Sequence, residues 1–405
     1  MYNTHILPNG LKIIHRPSAS AVTYSGVYIN IGSRDEVGAE EGVAHFIEHS
    51  IFKGTQHRRA YHILNRIDGV GGELNAFTTK EETCIYASSL NEHLERCLEL
   101  FSDVLFHSTF PQHEIEKERD VVVEEINSYK DSPADLIYDD FEELIFAGHP
   151  LAHNILGTKK NVRRFTPDFI RQFMQRNYTP DRMVVTVVGN VEFRRLVRLC
   201  EKYFGCLPPR TSAACRNVAP VPRQFDRVEN RRTHQVHLLM GCPAPDIFDE
   251  KKVAFSLLNN ILGGPAMNSR LNVSIREKYG FCYTIESQYV PFSDAGLFYI
   301  YAGIDGDTLQ RAREMIFKEL QHCCSHPLST RQIRAAQRQM IGQMTINNDI
   351  AMNEMQSIGK AFLNYDHVDT VEEMSRDLLS VTPGDLLAVA NEYLNPSRIS
   401  ILAYK

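Results

Sequence analysis

Between Gly42 and Gly54 the chain reads GVAHFIEHSIFKG. His45 and His49 stand four residues apart, with Glu48 immediately before the second. On a helix, positions i and i+4 lie one turn apart on a single face. Two neutral imidazoles so placed can point at one cation, and Glu48 can lean toward the same ion without binding it. This division of labour suits metal-assisted hydrolysis. Two nitrogens hold Zn²⁺, and the carboxylate takes a proton from an attacking water. Ala44, Phe46, Ile47, Ile51 and Phe52 give the same segment an apolar stripe, so the helix is expected to be buried. Buried histidines and a buried Glu need partners, and a metal satisfies all three together.

Such a site still needs a third protein ligand. Pro111 opens a predicted helix over Gln112–Tyr129, with proline at the favoured first position. It carries Glu114, Glu116, Glu118, Glu124 and Glu125, most of which read as a solvated acidic face. Glu118 and Glu125 are seven apart, two turns along one face. Val121, Val122 and Ile126 flank that face, so it is expected to turn inward. Glu125 is the expected third ligand, with Glu118 supporting the ligands from behind. His149 and His153 are also four apart, but Pro150 lies between them and no Glu intervenes, so a loop is expected there.

The surrounding elements follow from pattern. Thr4–His15 reads as a hairpin turning at Pro8-Asn9-Gly10, and Val22–Ile31 as a strand. Gly32–Glu41 is an acidic loop leading into the histidine helix. Arg58–Asp68 looks helical, Gly69–Gly72 is a glycine turn, and Glu73–Ser88 suits two strands joined at Lys80-Glu81-Glu82. Asn91–Phe106 carries a helical stripe at Leu94, Leu98, Phe101 and Leu105. Further on come a helix over Thr166–Asn177, a strand over Arg182–Val188 and a helix over Arg194–Phe204. The stretch from Gly205 to Arg223, rich in Pro, Ser, Ala and Arg, reads as a linker.

With 405 residues, 43% of them hydrophobic, the chain can build a sizeable core in two or more domains. A net charge of −6 supplies no broad basic field, so neither nucleic acid nor an anionic membrane is an expected partner. The longest apolar runs are of strand length, too short to span a bilayer. The first residues show no charged region followed by an apolar one. The nine Cys are scattered, without any C-x-x-C spacing. Reduced thiols in a cytoplasmic setting are expected, and a cysteine zinc site is not.

The order of elements runs twice. A shift of 210 residues lays VAHFIEHSIFKG on VAFSLLNNILGG, Val253–Gly264. His45 then falls on Phe255, Glu48 on Leu258 and His49 on Asn259. A slightly larger shift brings Glu125 onto Gln343. TPDFIRQF aligns with TPGDLLAV, and PDRMVVTVV with PSRISILAY. The expected fold class is α+β: two homologous α/β halves, each a mostly antiparallel sheet flanked by helices. The boundaries are placed at 1–208 and 224–405, with a linker at 209–223. Only the first half keeps the metal-binding groups. A purely structural repeat has no reason to keep imidazole and carboxylate in one copy alone.

These residues resemble the M16 peptidases, the inverzincins that include pitrilysin, insulin-degrading enzyme and the mitochondrial processing peptidase. H-x-x-E-H is their zinc signature. The resemblance covers essentially the whole chain. It rests on GVAHFIEHSIFKGT, on Gly71–Tyr86, on EKERDVVVEEI over Glu116–Ile126, and on SRLNVSIREKYGFCYTI over Ser269–Ile285. The length is similar to that of the short subfamily of processing-peptidase subunits, with their metallohydrolase fold.

The resemblance implies one Zn²⁺ per chain, held by His45, His49 and Glu125, with Glu48 as general base and Glu118 in support. It implies that Asn75, Ala76 and Phe77 form an edge strand that pairs with peptide substrate, and that Arg276 and Tyr283 stand near the scissile carbonyl. It also implies a homodimer in which the second half of one chain faces the active site of the other. The activity implied is that of a zinc metalloendopeptidase for unfolded or short peptides, working in a clamshell chamber. The competing expectation is a non-catalytic scaffold or assembly subunit of the same fold, which degenerate ligands would mark. Ser50 departs from the larger apolar residue usual in relatives, a matter of packing.

Overall fold

The computed structural model describes residues 2–209, 216–220, 222–231 and 233–405. Part of the expected linker, residues 210–215 and 221, lies outside the described residues. Two compact units divide the chain. One comprises Met1–Asn127, His153–Arg216 and Ile346–Thr370; the other comprises Ser128–Ala152, Asn217–Thr345 and Val371–Lys405.

The first unit is built on a six-stranded sheet. Its strands are β1 (Asn3–Ile6), β2 (Lys12–Pro17), β3 (Val22–Ile29), β4 (Glu73–Thr78), β5 (Thr83–Leu90) and β6 (Met183–Gly189), in the order β1-β2-β6-β3-β5-β4. Only β2 and β6 pair in parallel. The predicted hairpin forms, with Asn3 opposite His15. Because strand side chains alternate, the sheet needs two covers. Ile13, Val27, Ile29, Ile85, Val185 and Val187 face one core. Helices α1 (Val43–Ser50), α2 (Ala60–Asp68), α3 (Leu94–Phe106) and α4 (Gln112–Lys130) pack against that core.

The second unit carries the counterpart sheet, β7 (Asp226–Glu229), β8 (Val236–Ala244), β9 (Cys282–Pro291), β10 (Gly296–Ile304) and β11 (Ser400–Tyr404), in the order β7-β11-β8-β10-β9. One of its faces is covered by α5 (Pro133–Ile145), through Ile137, Phe141 and Ile145 against Leu239, Tyr299, Leu402 and Tyr404. The remaining helices, in chain order, are α6 (Lys159–Val162), α7 (Pro167–Asn177), α8 (Phe193–Phe204), α9 (Lys252–Gly263), α10 (Leu309–Ser325), α11 (Thr330–Asp349), α12 (Ala351–Tyr365), α13 (Val371–Ser380) and α14 (Pro383–Tyr393). Helix α12 belongs to the first unit. There Met355, Ile358, Phe362 and Leu363 cover Ile14, Tyr28, Val184 and Val188, the strand residues that point away from the other core.

The compact units therefore differ from the contiguous halves 1–208 and 224–405 by one exchanged helix each. The physical reason is that both faces of each sheet are apolar. Each repeat's own helices cover one face, and a helix from the other repeat's sequence covers the second. Among the described residues, no helix is long and apolar enough to cross a membrane.

One local expectation needs correction. Val121 is 49% exposed, so it lies off the buried face of α4, which Ile115, Glu118, Val122 and Ile126 form. The segment Gly32–Glu41 leads into α1, as expected. It holds two short 3₁₀ turns and buries Arg34 and Glu36.

The fit of α12 on the first sheet is tight at Gly359, where an added Cβ would stand 2.7 Å from the buried Tyr28 ring. Gly359→Ala gains about 1 kcal/mol of helix propensity but forces an overpacked core costing about 1–3 kcal/mol. A net loss of stability is expected, read as a lower urea midpoint. His15 offers a pH test. It is 1% exposed; its Nε2–H donates to Gly189 O at 3.1 Å, and its Nδ1 accepts from Asn3. Burial lowers its pKa below the ordinary 6.5. The native state thus keeps it neutral, and its contribution is full above pH 6.5 and lost as pH falls below that value. Wild type should lose stability from pH 7 to 5 more steeply than His15→Gln, measured by urea titration at each pH.

Candidate metal centre

The centre is assembled within the first unit by α1 and α4. Gly42 precedes α1 with φ +92°, a left-handed conformation that glycine adopts without strain. A Cβ there would also stand 2.7 Å from Leu156 O. The buried Glu36 carboxylate caps the helix: one oxygen accepts the Gly42 N–H and the other the Ala44 N–H, both at 2.7 Å. These are donors that a helix start leaves unpaired. Burial pushes the Glu36 carboxyl well up, against the pull of those two donors. Val43, Ala44, Phe46 and Ile47 anchor the apolar side of α1 in the core. His45 and His49 are left on the side that meets α4.

The predicted ligands converge. Glu125 Oε2 lies 3.6 Å from His45 Nε2 and 3.3 Å from His49 Nε2. Zinc–ligand bonds of about 2.0–2.2 Å at tetrahedral angles set ligand atoms about 3.3–3.6 Å apart. One ligand atom from each residue lies within 4.8 Å of the others. Glu125 Oε2 is buried and has no hydrogen-bond partner, an arrangement that costs free energy unless a cation sits there. On this test the donor set fits a zinc ion.

The electrostatics of the two histidines differ. Burial, then the neighbouring His49, lowers the His45 pKa to about 3, so its imidazole is neutral, as ligation requires. Hydrogen bonding to Glu118 raises His49, and the Glu125 and Glu48 charges add to this. Burial alone would raise Glu118. Its contacts with His49 Nδ1 at 3.4 Å and Lys53 Nζ at 2.5 Å outweigh that and hold the carboxyl below its usual range. Glu118 thus touches the ring nitrogen of His49 that faces away from Glu125, the place of a group that orients a metal ligand. Burial raises Glu48, opposed by Thr78 at the end of β4.

A cleft of about 340 Å³ opens beside the centre, lined by Glu48, His49, Phe52, Lys53, Asn75 and Ala76 among others. Strand β4 is the sheet edge, so Asn75, Ala76 and Phe77 pair with β5 on one side only. The Asn75 side chain accepts the Ala76 N–H at 2.8 Å and so covers one edge donor. Arg276 and Tyr283 belong to the second unit. Arg276 sits on a short π-helical stretch, Asn272–Glu277, and donates to Asn272 Oδ1 at 3.3 Å. Tyr283 is on the edge strand β9 and is 73% exposed. In the second repeat the counterparts of His45 and Glu48, Phe255 and Leu258, are buried in the core, whereas those of His49 and Glu125, Asn259 and Gln343, are half-buried, and Asn259 Oδ1 accepts from Ser287.

Two family models cover most of the chain: Insulinase (Peptidase family M16) over residues 12–159, and Peptidase M16 inactive domain over 164–340. An uncharacterized zinc protease of Streptomyces coelicolor is 36% identical over 96% of this chain and 86% of its own length. The chain belongs to the M16 peptidase family. A second relative, an uncharacterized zinc protease of Bacillus subtilis, is 33% identical over 94% of this chain and 93% of its own length. A protease from Helicobacter pylori shares the fold, with TM-score 0.92 at 23% identity over 100% of this chain and 99% of that one. So does a peptidase M16 inactive domain from Pseudomonas fluorescens, with TM-score 0.92 at 20% identity over 100% and 98%. The match named inactive begins beyond His45, His49 and Glu125.

Pattern reading did not find Glu36, Lys53 or Thr78. No spacing marks Glu36 as a cap, because it reaches α1 through two turns. Lys53 stood within the quoted motif, and its role needed the position of Glu118. Glu125→Ala is expected to abolish zinc binding. Glu118→Gln, which keeps every ligand, should weaken affinity by about 10–100-fold; competition against a chromogenic chelator measures both.

Proposed function

We propose that this chain is a zinc-dependent endopeptidase acting on unfolded or short peptides. The observation that carries the reading is the meeting of His45, His49 and Glu125 around one point, with Glu48 beside it in an open cleft. Bound zinc would supply Lewis acidity, polarising a peptide carbonyl and lowering the pKa of water to about 7. His45, His49 and Glu125 would hold the ion, and Glu118 with Lys53 would fix the ring of His49. Glu48 takes the proton of the attacking water and passes it to the leaving amine. The free edge of β4 at Asn75–Phe77 adds the substrate as a further strand, gripping backbone with little regard for side chains. An extended segment is needed for that, which favours unfolded or short substrates.

Arg276 and Tyr283 supply the donors for the oxyanion, in a chamber completed by a second copy of the chain. The resemblance supports this homodimeric part of the reading. A non-catalytic subunit is the weaker reading, since all four zinc-site residues are in place.

Glu48→Gln is expected to keep its zinc and lose nearly all peptide turnover, followed by mass spectrometry on a mixed peptide pool. Full activity in that variant would sink the assignment. A chelator should abolish activity and added zinc restore it. If the sites are shared between copies, mixing inactive Glu48→Gln with inactive Tyr283→Phe should restore turnover. No recovery on mixing would refute the shared chamber and leave the zinc centre standing.

A further inference from the structure

We propose that His57, Asp103 and His107 form a second divalent-metal site, separate from the first centre. One ligand atom from each of the three lies within 4.8 Å of the others. Asp103 is in the last turn of α3, and His107 follows it by one turn. The His107 N–H donates to the Asp103 carbonyl at 2.9 Å, which holds the pair in helical register. His57 comes from the turn between α1 and α2. That turn is fastened to the end of α3 by two backbone bonds, Gln56 N–H to His107 O at 2.9 Å and Thr109 N–H to Gly54 O at 3.0 Å.

The Asp103 carboxylate is 3% exposed, and its two oxygens are used differently. Oδ2 accepts from Thr55 Oγ1 at 2.8 Å and from Arg58 at 2.6 Å. Thr55 Oγ1 also accepts the His57 and Arg58 N–H groups, so one hydroxyl fixes both carboxylate and turn. Oδ1 is left to the imidazoles, with His57 Nδ1 at 2.6 Å and His107 Nδ1 at 3.6 Å. His107 Nδ1 is buried and has no hydrogen-bond partner. The two rings stand 4.9 Å apart at 72°. If the cluster served only to fasten the turn, Asp103, Thr55 and Arg58 would suffice. A second imidazole nitrogen aimed at the same oxygen, and bonded to nothing, is what a cation would satisfy.

The cation takes Oδ1 and both Nδ1 atoms, and opens the His57–Asp103 contact toward the roughly 3.3 Å spacing of ligands on zinc. The exposed side of both rings leaves its remaining positions to water. Two imidazoles and one carboxylate select Zn²⁺, Co²⁺ or Ni²⁺ over Mg²⁺ or Ca²⁺, which prefer all-oxygen shells. Arg58 opposes a cation, and its bond to Glu99 at 2.6 Å offsets part of that charge. The first centre gathers Glu48 and Glu118 near its one ligating carboxylate, whereas here the one ligating carboxylate, Asp103, is already paired with Arg58. It is therefore the weaker of the two and fills only after the first.

The test is calorimetric titration of metal-stripped full-length protein with ZnCl₂. Wild type should bind two equivalents, His57→Ala/His107→Ala only the tighter one, and His45→Ala/His49→Ala only the weaker one. Thermal melting checks that each variant is folded. His107→Asn, a smaller change, should weaken the second equivalent and leave the first unchanged. A single equivalent in wild type, or two in the folded His57→Ala/His107→Ala protein, overturns the proposal. Loss of the tighter equivalent is read in His45→Ala/His49→Ala, so failure of the first centre is distinguished from failure of the second.

Discussion

The need to partner buried charge organises the first unit. His45 and Glu118 are almost fully buried, and Glu125 Oε2 has no hydrogen bond. An apolar interior tolerates such groups only when they are paired or ligate a metal. The rest of the unit holds them in that relation. The Glu36 carboxylate fixes the start of α1, the apolar side of α1 keeps its rotation, and Ile115, Val122 and Ile126 keep the rotation of α4. Lys53 then neutralises the outer oxygen of Glu118. Moving either helix by a fraction of a turn would leave three buried polar groups with no partner at all.

Duplication explains the asymmetry between the units. Both repeats build a sheet with a helix lying where α1 and α9 lie in sequence. In the second, Phe255 and Leu258 occupy the positions of His45 and Glu48 and are buried. The same architecture is therefore stable with an apolar interior at that place. The histidines and carboxylates of the first repeat are therefore not required by the fold. The exchange of α5 and α12 ties the repeats together covalently, since each unit completes its second apolar face with a helix encoded in the other half.

The neighbourhood of α1 carries a further polar cluster, at the opposite end of the loop that leaves it. Thr55, Arg58 and Asp103 knit the loop to α3, and His57 and His107 add imidazoles to a carboxylate oxygen that the knitting leaves over. The two clusters differ in charge, with three carboxylates at one and a guanidinium bound into the other. That difference sets their order of affinity for a cation.

The sequence by itself pointed to the elements, the duplication and the residues of the candidate metal centre. Helical spacing placed His45, Glu48 and His49 on one face, and the seven-residue step from Glu118 to Glu125 marked the partner helix. Residue preference and turn residues located the strands of the first sheet, and the resemblance marked Asn75–Phe77 as the edge. These features are legible because they depend on period and local backbone preference. Tertiary structure decided what period cannot reach. The exchanged helices, the cap supplied by Glu36, the Lys53–Glu118 pair, the exposure of Val121 and the meeting of His57 with His107 all join residues through space. No spacing encodes those contacts, because each exists only after the sheet and helices have packed.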